Sequence, residues 1–218
     1  MLVKWIVCTV DPSDRTQFSQ DQCHWNALSK AEGFVAQLGG WDVREPHRAC
    51  ILCLSRDEQA YAGFMSDLHD PIVEKSGQDG TYRDIEVTLG QVRLGIEGNS
   101  RDLSAAVEVG RVLRVADCTL CPGRLNHFES VQKQIWNPAM AGTGAVAGGV
   151  FVKLDTAQDR YLVATLWLDP QAHADYTRTQ VPGLRDRAEV ETDVARLIGY
   201  CVSLESAWLV LADRNMTQ

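Results

Sequence analysis

The chain has 218 residues, of which 45% are hydrophobic, and a formal net charge of −8. This length allows one or two domains with packed cores. The acidic balance argues against nucleic acid as a partner, because phosphate backbones are bound by basic surfaces. No apolar run approaches the roughly 20 residues that a membrane-spanning helix needs, and the start of the chain lacks the pattern of a signal peptide. We therefore expect a cytoplasmic protein without a membrane partner.

The cysteines number seven, and an odd count argues against a complete set of disulfides. Two pairs have the spacing C-x-x-C, Cys50 with Cys53 and Cys118 with Cys121. Residues three apart on a strand point to opposite faces, so Cys50 and Cys53 are poorly placed to bind one ion. We predict no metal site and interpret most of the thiols as small buried side chains.

An internal repeat organises the chain. The segment from Lys4 to Trp41 reappears between Arg114 and Phe151, with Cys-Thr, Phe, Gln, Trp and Gly-Gly in the same order. The matched positions are Cys8 and Cys118, Phe18 and Phe128, Gln22 and Gln132, Trp25 and Trp136, and Gly39-Gly40 and Gly148-Gly149. We interpret the pattern as a tandem duplication, with repeats at residues 1–98 and 111–218 and a linker at 99–110.

The first copy alternates strand and helix signals in chain order. Residues 2–10 are typical of a buried strand that is interrupted only by Lys4, and Asp11-Pro12-Ser13 predicts the start of a helix that runs to about Ala31. The helical spacing places one stripe against the sheet, namely Phe18, Gln22, Trp25 and Leu28. Strands are predicted at 34–43, 49–55 and 82–89, and a second helix is predicted from Asp57 to His69-Asp70-Pro71.

The second copy repeats this order after a glycine-rich connector at 90–110, where residues 100–106 could form one or two helical turns. Strands are predicted at 112–120, 146–154, 161–167 and 200–210, and helices at 124–136 and from Pro170. Strand, helix, strand, strand, helix, strand is the ferredoxin-like order, in which two helices cover one face of an antiparallel sheet. We predict an α+β protein whose two repeats bury their bare sheet faces against each other as an intramolecular dimeric α/β barrel.

Several stretches resemble the dimeric α/β barrel superfamily, which includes the antibiotic biosynthesis monooxygenase-like proteins. Within residues 2–89, VKWIVCTV, GFVAQLGGW and LHDPIVEKSGQ with TYRDIEV are similar to the YdbC-like DUF4937 proteins, and VLRVADCTL, WNPAM and LVATLWL resemble a fused partner domain. The resemblance implies a ligand pocket between each sheet and its helices. It also implies oxygenation, cyclisation or isomerisation of aromatic molecules without a cofactor, or haem binding and degradation, and the fold does not decide among these.

Three residues are candidates for catalysis. His69 beside Asp70 comes first, because a carboxylate can orient an imidazole for proton transfer, although Asp70-Pro71 could simply end the helix. Asp117 interrupts an apolar strand, so it is either paired with an arginine such as Arg114 or Arg160 or acts as an acid or base in a pocket.

The candidates for substrate binding are mainly aromatic and could wall a pocket, with polar groups to orient a ligand. They are Trp25, Trp41, Trp136, Asn137, Trp167 and His173. The alternatives are a core position for each tryptophan and a turn position for Asn137. His69 or His173 could mimic the helix histidine of haem-degrading relatives, but those use an asparagine on the first strand, where this chain has Thr9 and Thr119.

These patterns favour a small-molecule-binding enzyme that acts on an aromatic or hydrophobic metabolite with neither metal nor cofactor. The alternatives are a ligand-binding or stress-related barrel without catalysis and a haem-binding or haem-degrading protein. Pairing of two chains as a homodimer is left open.

Overall fold

The computed structural model describes residues 1–213. The chain divides into two compact units, one formed by Met1–Gln91 with the segment that begins at Val202, the other by Val92–Cys201. These units are defined by packing, whereas the repeats at 1–98 and 111–218 describe a duplication of the sequence, and their boundaries stay a prediction.

The elements of the first repeat are β1 (Leu2–Thr9), α1 (Arg15–Gln22), a 3₁₀ segment (Cys23–Lys30), β2 (Phe34–Asp42), β3 (Arg48–Ser55), α2 (Glu58–Phe64), a π-helical segment (Met65–His69), α3 (Asp70–Ser76), a short 3₁₀ turn (Gln78–Gly80) and β4 (Asp84–Ile96). The chain continues through α4 (Leu103–Val109), β5 (Val112–Leu120), α5 (Leu125–Val131), a second π-helical segment (Gln132–Trp136), α6 (Asn137–Ala141), β6 (Val146–Leu154) and β7 (Arg160–Trp167). It ends with α7 (Pro170–Thr179), α8 (Val181–Arg187), α9 (Val190–Asp193), β8 (Val194–Leu204), a 3₁₀ turn (Ser206–Trp208) and β9 (Val210–Leu211).

The sheet of the first unit has the order β4-β1-β3-β2, with antiparallel neighbours. The end of β8 and β9 pair with the free side of β2. The second unit has the equivalent order β8-β5-β7-β6. Both orders are those of a ferredoxin-like βαββαβ repeat, so the predicted α+β class and the tandem repetition are confirmed.

The repeated glycine pair allows close approach of neighbouring backbones. A Cβ atom on Gly40 would overlap the carbonyl oxygen of Ser203, and one on Gly149 would overlap that of Ala164. No side chain fits there, which explains why both copies have glycine at this position.

The first helix begins later than its predicted start. Asp11 does not cap it, because the helix starts at Arg15, and the Asp11 carboxylate instead accepts a hydrogen bond from Arg83. In contrast, Asp57 caps α2 as predicted, by accepting a hydrogen bond from the backbone N–H of Ala60 at 2.8 Å.

The predicted end of the second helix at His69-Asp70-Pro71 is wrong. The chain stays helical through the π-helical segment and into α3, where Pro71 occupies the first turn. A first-turn proline removes a backbone N–H that has no partner within the helix, so helical structure can resume there. Asn137 also precedes a proline and was expected in a turn. Instead it begins α6, directly after a π-helical segment and before Pro138.

The connector and the last strand also differ from prediction. Strand β4 continues through Gly90 to Ile96. Helix α4 spans Leu103–Val109 and so begins three residues later than the helical turns predicted at 100–106. Its start is fixed by Asp102, whose side chain accepts a hydrogen bond from the backbone N–H of Ala105 at 2.8 Å. Strand β8 begins at Val194 rather than at residue 200. Among residues 1–213, no helix is long and apolar enough to cross a membrane.

Candidate functional site

The first unit contains a cavity of about 370 Å³ between strands β1 to β4 and the helices that cover them. The helix stripe predicted from the sequence lines it. The aromatic side chains in its wall are Phe18, Trp25, Phe34, Tyr61, Phe64 and Tyr82. A largely apolar cavity of this size with a few polar groups is typical of small-molecule sites.

Buried amides hold the helical wall of this cavity in place. The indole Nε1 of Trp25 donates to Oε1 of Gln78, and Nε2 of Gln78 donates to Oε1 of Gln22, both at 2.8 Å. Gln22 and Gln78 are buried. Since these hydrogen bonds are shielded from water, they fix the orientation of the Trp25 ring at the cavity.

His69 also lines the cavity, at the end of the π-helical segment. Its Nδ1 atom lies 2.8 Å from Oδ1 of Asp70, as the sequence suggested for this pair, and its ring contacts Trp25 and Phe64 with centroids 6.0 and 5.7 Å away. The imidazole is 24% exposed, whereas the Asp70 carboxylate is 92% exposed. With Nδ1 bonded to a carboxylate, Nε2 is the ring nitrogen left to meet a ligand.

Polar side chains from three neighbouring strands lie in the sheet wall of the cavity. Lys4 of β1 is paired with Cys53 of β3, and Cys53 is paired with Gln37 of β2, so the three side chains form one row across the sheet. Burial lowers the pKa of the Lys4 amine below 10.5. Sequence analysis did not select Lys4 as a site residue, although it is the only charged residue in the strand signal at 2–10.

The thiol in this row is a hydrogen-bond donor. Burial raises the pKa of Cys53 to about 12, so the group is protonated at neutral pH, and its Sγ atom donates to Oε1 of Gln37 at 3.1 Å. Cys8, also in the cavity wall, has its pKa raised to about 12 by burial. These thiols are poor nucleophiles, because the thiolate is the reactive form.

The second unit has a smaller cavity of about 150 Å³ in the equivalent place. It brings together three of the predicted binding residues, Trp136, Trp167 and His173, and Arg114 stands where the first unit has Lys4. Asn137 lies outside the lining and accepts a hydrogen bond from Gln132. Val181 lines the cavity at the position that corresponds to His69, so the second cavity has no imidazole at that position, and its histidine, His173, comes from α7.

Besides Asn137, two predicted site residues line neither cavity. Trp41 packs in the core of the first unit with Phe18 and Trp208, at centroid distances of 5.7 and 5.5 Å. Asp117 is 3% exposed and forms a bidentate ion pair with Arg160, in which Nε of Arg160 lies 2.7 Å from Oδ1 of Asp117. For both residues the structure shows the alternative named above, a core position and an ion pair.

All seven cysteines are free. Within the described part of the chain, no group of three or more His, Cys, Asp or Glu side chains is arranged to hold a metal ion.

Comparison with known proteins assigns the first unit to a family. Residues 2–89 match the family described as "Domain of unknown function (DUF4937)". Over 91 residues the chain is 38% identical to the uncharacterized protein YdbC of Bacillus subtilis strain 168, an alignment that covers 41% of this chain and 76% of YdbC. The chain belongs to the DUF4937 family. Every residue that lines the first cavity lies inside the DUF4937 match.

Solved structures show the same fold over nearly the whole DUF4937 chain. A monooxygenase candidate from Fusobacterium nucleatum superposes with a TM-score of 0.76 at 8% identity, covering 96% of this chain and 94% of the other. A monooxygenase candidate from Lactobacillus acidophilus gives 0.69 at 12% identity, covering 97% and 99%. An anthrone oxidase-like protein gives 0.68 at 12% identity, covering 94% and 91%.

These similarities show a shared fold and nothing more, because the sequence identities are only 8–12%. They confirm the predicted resemblance to the dimeric α/β barrel superfamily and the predicted fold class of two tandem ferredoxin-like repeats of that type.

Proposed function

We propose that the cavity of the first unit binds a small aromatic or hydrophobic metabolite and that the protein acts on it without a cofactor. The observation that carries this proposal is the 370 Å³ cavity, whose walls are aromatic and whose rim holds the His69–Asp70 pair. A flat ring can pack against Trp25 and Phe64 and meet the imidazole that contacts both.

The chemistry we propose is proton transfer by His69. A carboxylate bonded to Nδ1 favours the tautomer in which Nδ1 carries the hydrogen, and this leaves a lone pair on Nε2 for use as a general base. Asp70 is mostly exposed, so its contribution is to orient the ring more than to supply a strong field. Loss of a proton makes an aromatic or enolic ligand electron-rich, which serves oxygenation by dioxygen, cyclisation and isomerisation alike.

Isothermal titration calorimetry with 2-naphthol as an aromatic probe tests the binding step. Val73 lines the cavity, whereas its neighbour Glu74 is exposed, so Val73→Phe fills the cavity and Glu74→Phe is a matched control on the same helix. We expect Val73→Phe to weaken binding at least roughly tenfold, since a filled cavity excludes the ring, and Glu74→Phe to leave it unchanged. Equal binding by the two variants would contradict the proposal.

Two further measurements separate the alternatives. A non-catalytic ligand-binding protein would bind 2-naphthol but cause no oxygen uptake with anthrone, the compound suggested by the oxidase-like protein of similar fold. A haem-binding protein would shift the Soret band of added haemin, and Val73→Phe would abolish the shift if the haem occupied this cavity.

A further inference from the structure

The row of Lys4, Cys53 and Gln37 supplies hydrogen-bond donors to the cavity without matching acceptors. Neighbouring strands lie about 4.8 Å apart, so side chains paired in register on the same face are within mutual reach. Cys53 donates its only hydrogen to the carbonyl oxygen of Gln37, and this orients the amide so that its NH₂ group is the free end.

The Gln37 amide nitrogen is a buried donor that lacks a partner. The side chain is only 2% exposed, and no acceptor within residues 1–213 forms a hydrogen bond with Nε2. Buried polar groups are normally satisfied, because an unmade hydrogen bond costs roughly 1–3 kcal/mol. Gln37 lines the cavity, so an acceptor atom on a ligand could satisfy it.

The Lys4 amine is the second donor. Its Nζ atom lies 5.8 Å from the centroid of the Tyr61 ring, and no carboxylate in the part of the chain that the structure describes forms an ion pair with it. A partly buried ammonium group without a counter-ion is energetically costly, and a negatively charged oxygen in the same cavity would offset that cost.

We propose that Lys4 and Gln37 form a subsite for a negatively charged oxygen of the ligand, so that the metabolite is an aromatic or hydrophobic acid, phenol or enol. This inference rests on the proposed function and narrows its substrate class. Carboxylate, phenolate and enolate oxygens share the chemistry that an ammonium and an amide N–H group recognise. For a phenol or enol, the same subsite would stabilise the oxyanion that forms when His69 removes a proton.

The second copy has a cation at the corresponding strand position. Arg114 lines the second cavity and is paired with Thr165 on β7, as Lys4 is paired with Cys53 on β3. Each repeat therefore has a basic residue at this strand position, although the Arg114 guanidinium also donates to the backbone carbonyl oxygens of Val115 and Tyr200.

The test compares three probes with the same ring system by calorimetry: 2-naphthoate, 2-naphthol and the neutral 2-naphthalenemethanol. We expect wild-type protein to bind 2-naphthoate or the phenolate form of 2-naphthol at least roughly tenfold more tightly than the neutral alcohol, as for one favourable charged contact. The naphtholate absorption spectrum, if it appears on binding at a pH where free 2-naphthol is neutral, identifies phenolate recognition; a preference confined to 2-naphthoate identifies carboxylate recognition.

Four variants assign the preference to the row. Lys4→Met should abolish it, Lys4→Arg should retain it, and Gln37→Leu should reduce it several-fold. Lys75→Met removes the same charge from an exposed position on α3 outside the cavity and should change nothing. Circular dichroism of each variant confirms that it is folded.

The outcomes are distinct. Equal wild-type affinity for the acidic and neutral probes, or an unchanged preference in folded Lys4→Met, overturns the subsite while leaving aromatic binding in place. Failure of all three probes to bind overturns the proposed function and this inference together.

Discussion

Trp25 and Gln78 are 53 residues apart in the chain, yet the indole Nε1 of Trp25 donates to Oε1 of Gln78 at 2.8 Å. The same Gln78 side chain donates to Gln22, so the first helix is tied to the turn after α3 by one amide. Gln22 and Trp25 are members of the repeat pattern, and their partner Gln78 makes the arrangement specific to the first cavity.

Replacement of Gln78 by leucine should destabilise the protein. The change leaves the Trp25 N–H and the Gln22 carbonyl oxygen without partners in a buried setting, which costs about 1–3 kcal/mol. Urea unfolding followed by circular dichroism measures the loss. Gln59→Leu, at an exposed position on α2, is the control and should stay within about 0.5 kcal/mol of wild type. A Gln78→Leu protein as stable as this control would show that the amide contributes nothing net.

Replacement of His69 by alanine should remove turnover of any substrate of the first cavity. Loss of a general base lowers the rate by roughly 100-fold or more, whereas Asp70→Asn, which changes only an exposed partner of Nδ1, should cost about tenfold or less. Oxygen uptake with anthrone, or with a substrate found by the binding assay, provides the measurement. Asp67→Asn is the control, because it replaces an exposed carboxylate by a carboxamide in the same π-helical segment. Full activity of His69→Ala with retained binding would rule out the proposed base.

Much of the fold could be predicted from local pattern. The strands at 112–120 and 146–154 match the structure because their apolar runs end at strong turn signals. The helix past Pro71 and the strand past Gly90 could not be predicted this way, because proline and glycine often, but not always, end a helix or strand. A π-helical segment and continued strand pairing keep the chain regular at those two places.

The site was only partly accessible to sequence analysis. Trp25 and His69 were found because aromatic and imidazole groups are recognisable wherever they occur. Lys4 and Gln37 were not selected, because their relationship depends on the register of three strands, in which Cys53 is paired with both. Sequence spacing does not encode that register, although a lone charge in a buried strand is a signal that merits attention.

Replacement of Arg160 by methionine should destabilise the protein strongly. The Asp117 carboxylate is 3% exposed and would remain buried without its partner, a situation that typically costs 3–5 kcal/mol, or about 3 kcal/mol here because Arg160 is itself partly exposed. The double variant Asp117→Leu with Arg160→Met removes both charges and should recover most of the loss. Unfolding in urea checks both values. If Asp117→Asn abolished turnover while the protein stayed folded and as stable as wild type, a role in chemistry would replace the structural one.

Replacement of Lys4 by methionine should stabilise the ligand-free protein at neutral pH, by about 1 kcal/mol, because it removes a partly buried ammonium group. Burial lowers the pKa of Lys4 in the folded chain, so the unfolded chain binds this proton more tightly. Wild-type stability should therefore rise with pH through the window between the lowered pKa and 10.5, and the advantage of Lys4→Met should shrink over the same window. Thermal melts of wild type, Lys4→Met and the exposed control Lys75→Met between pH 7 and 10.5 measure this difference. A Lys4→Met protein that is less stable than wild type at pH 7 would mean that the amine makes favourable contacts in the empty cavity, and its proposed use for a ligand oxygen would lose its energetic basis.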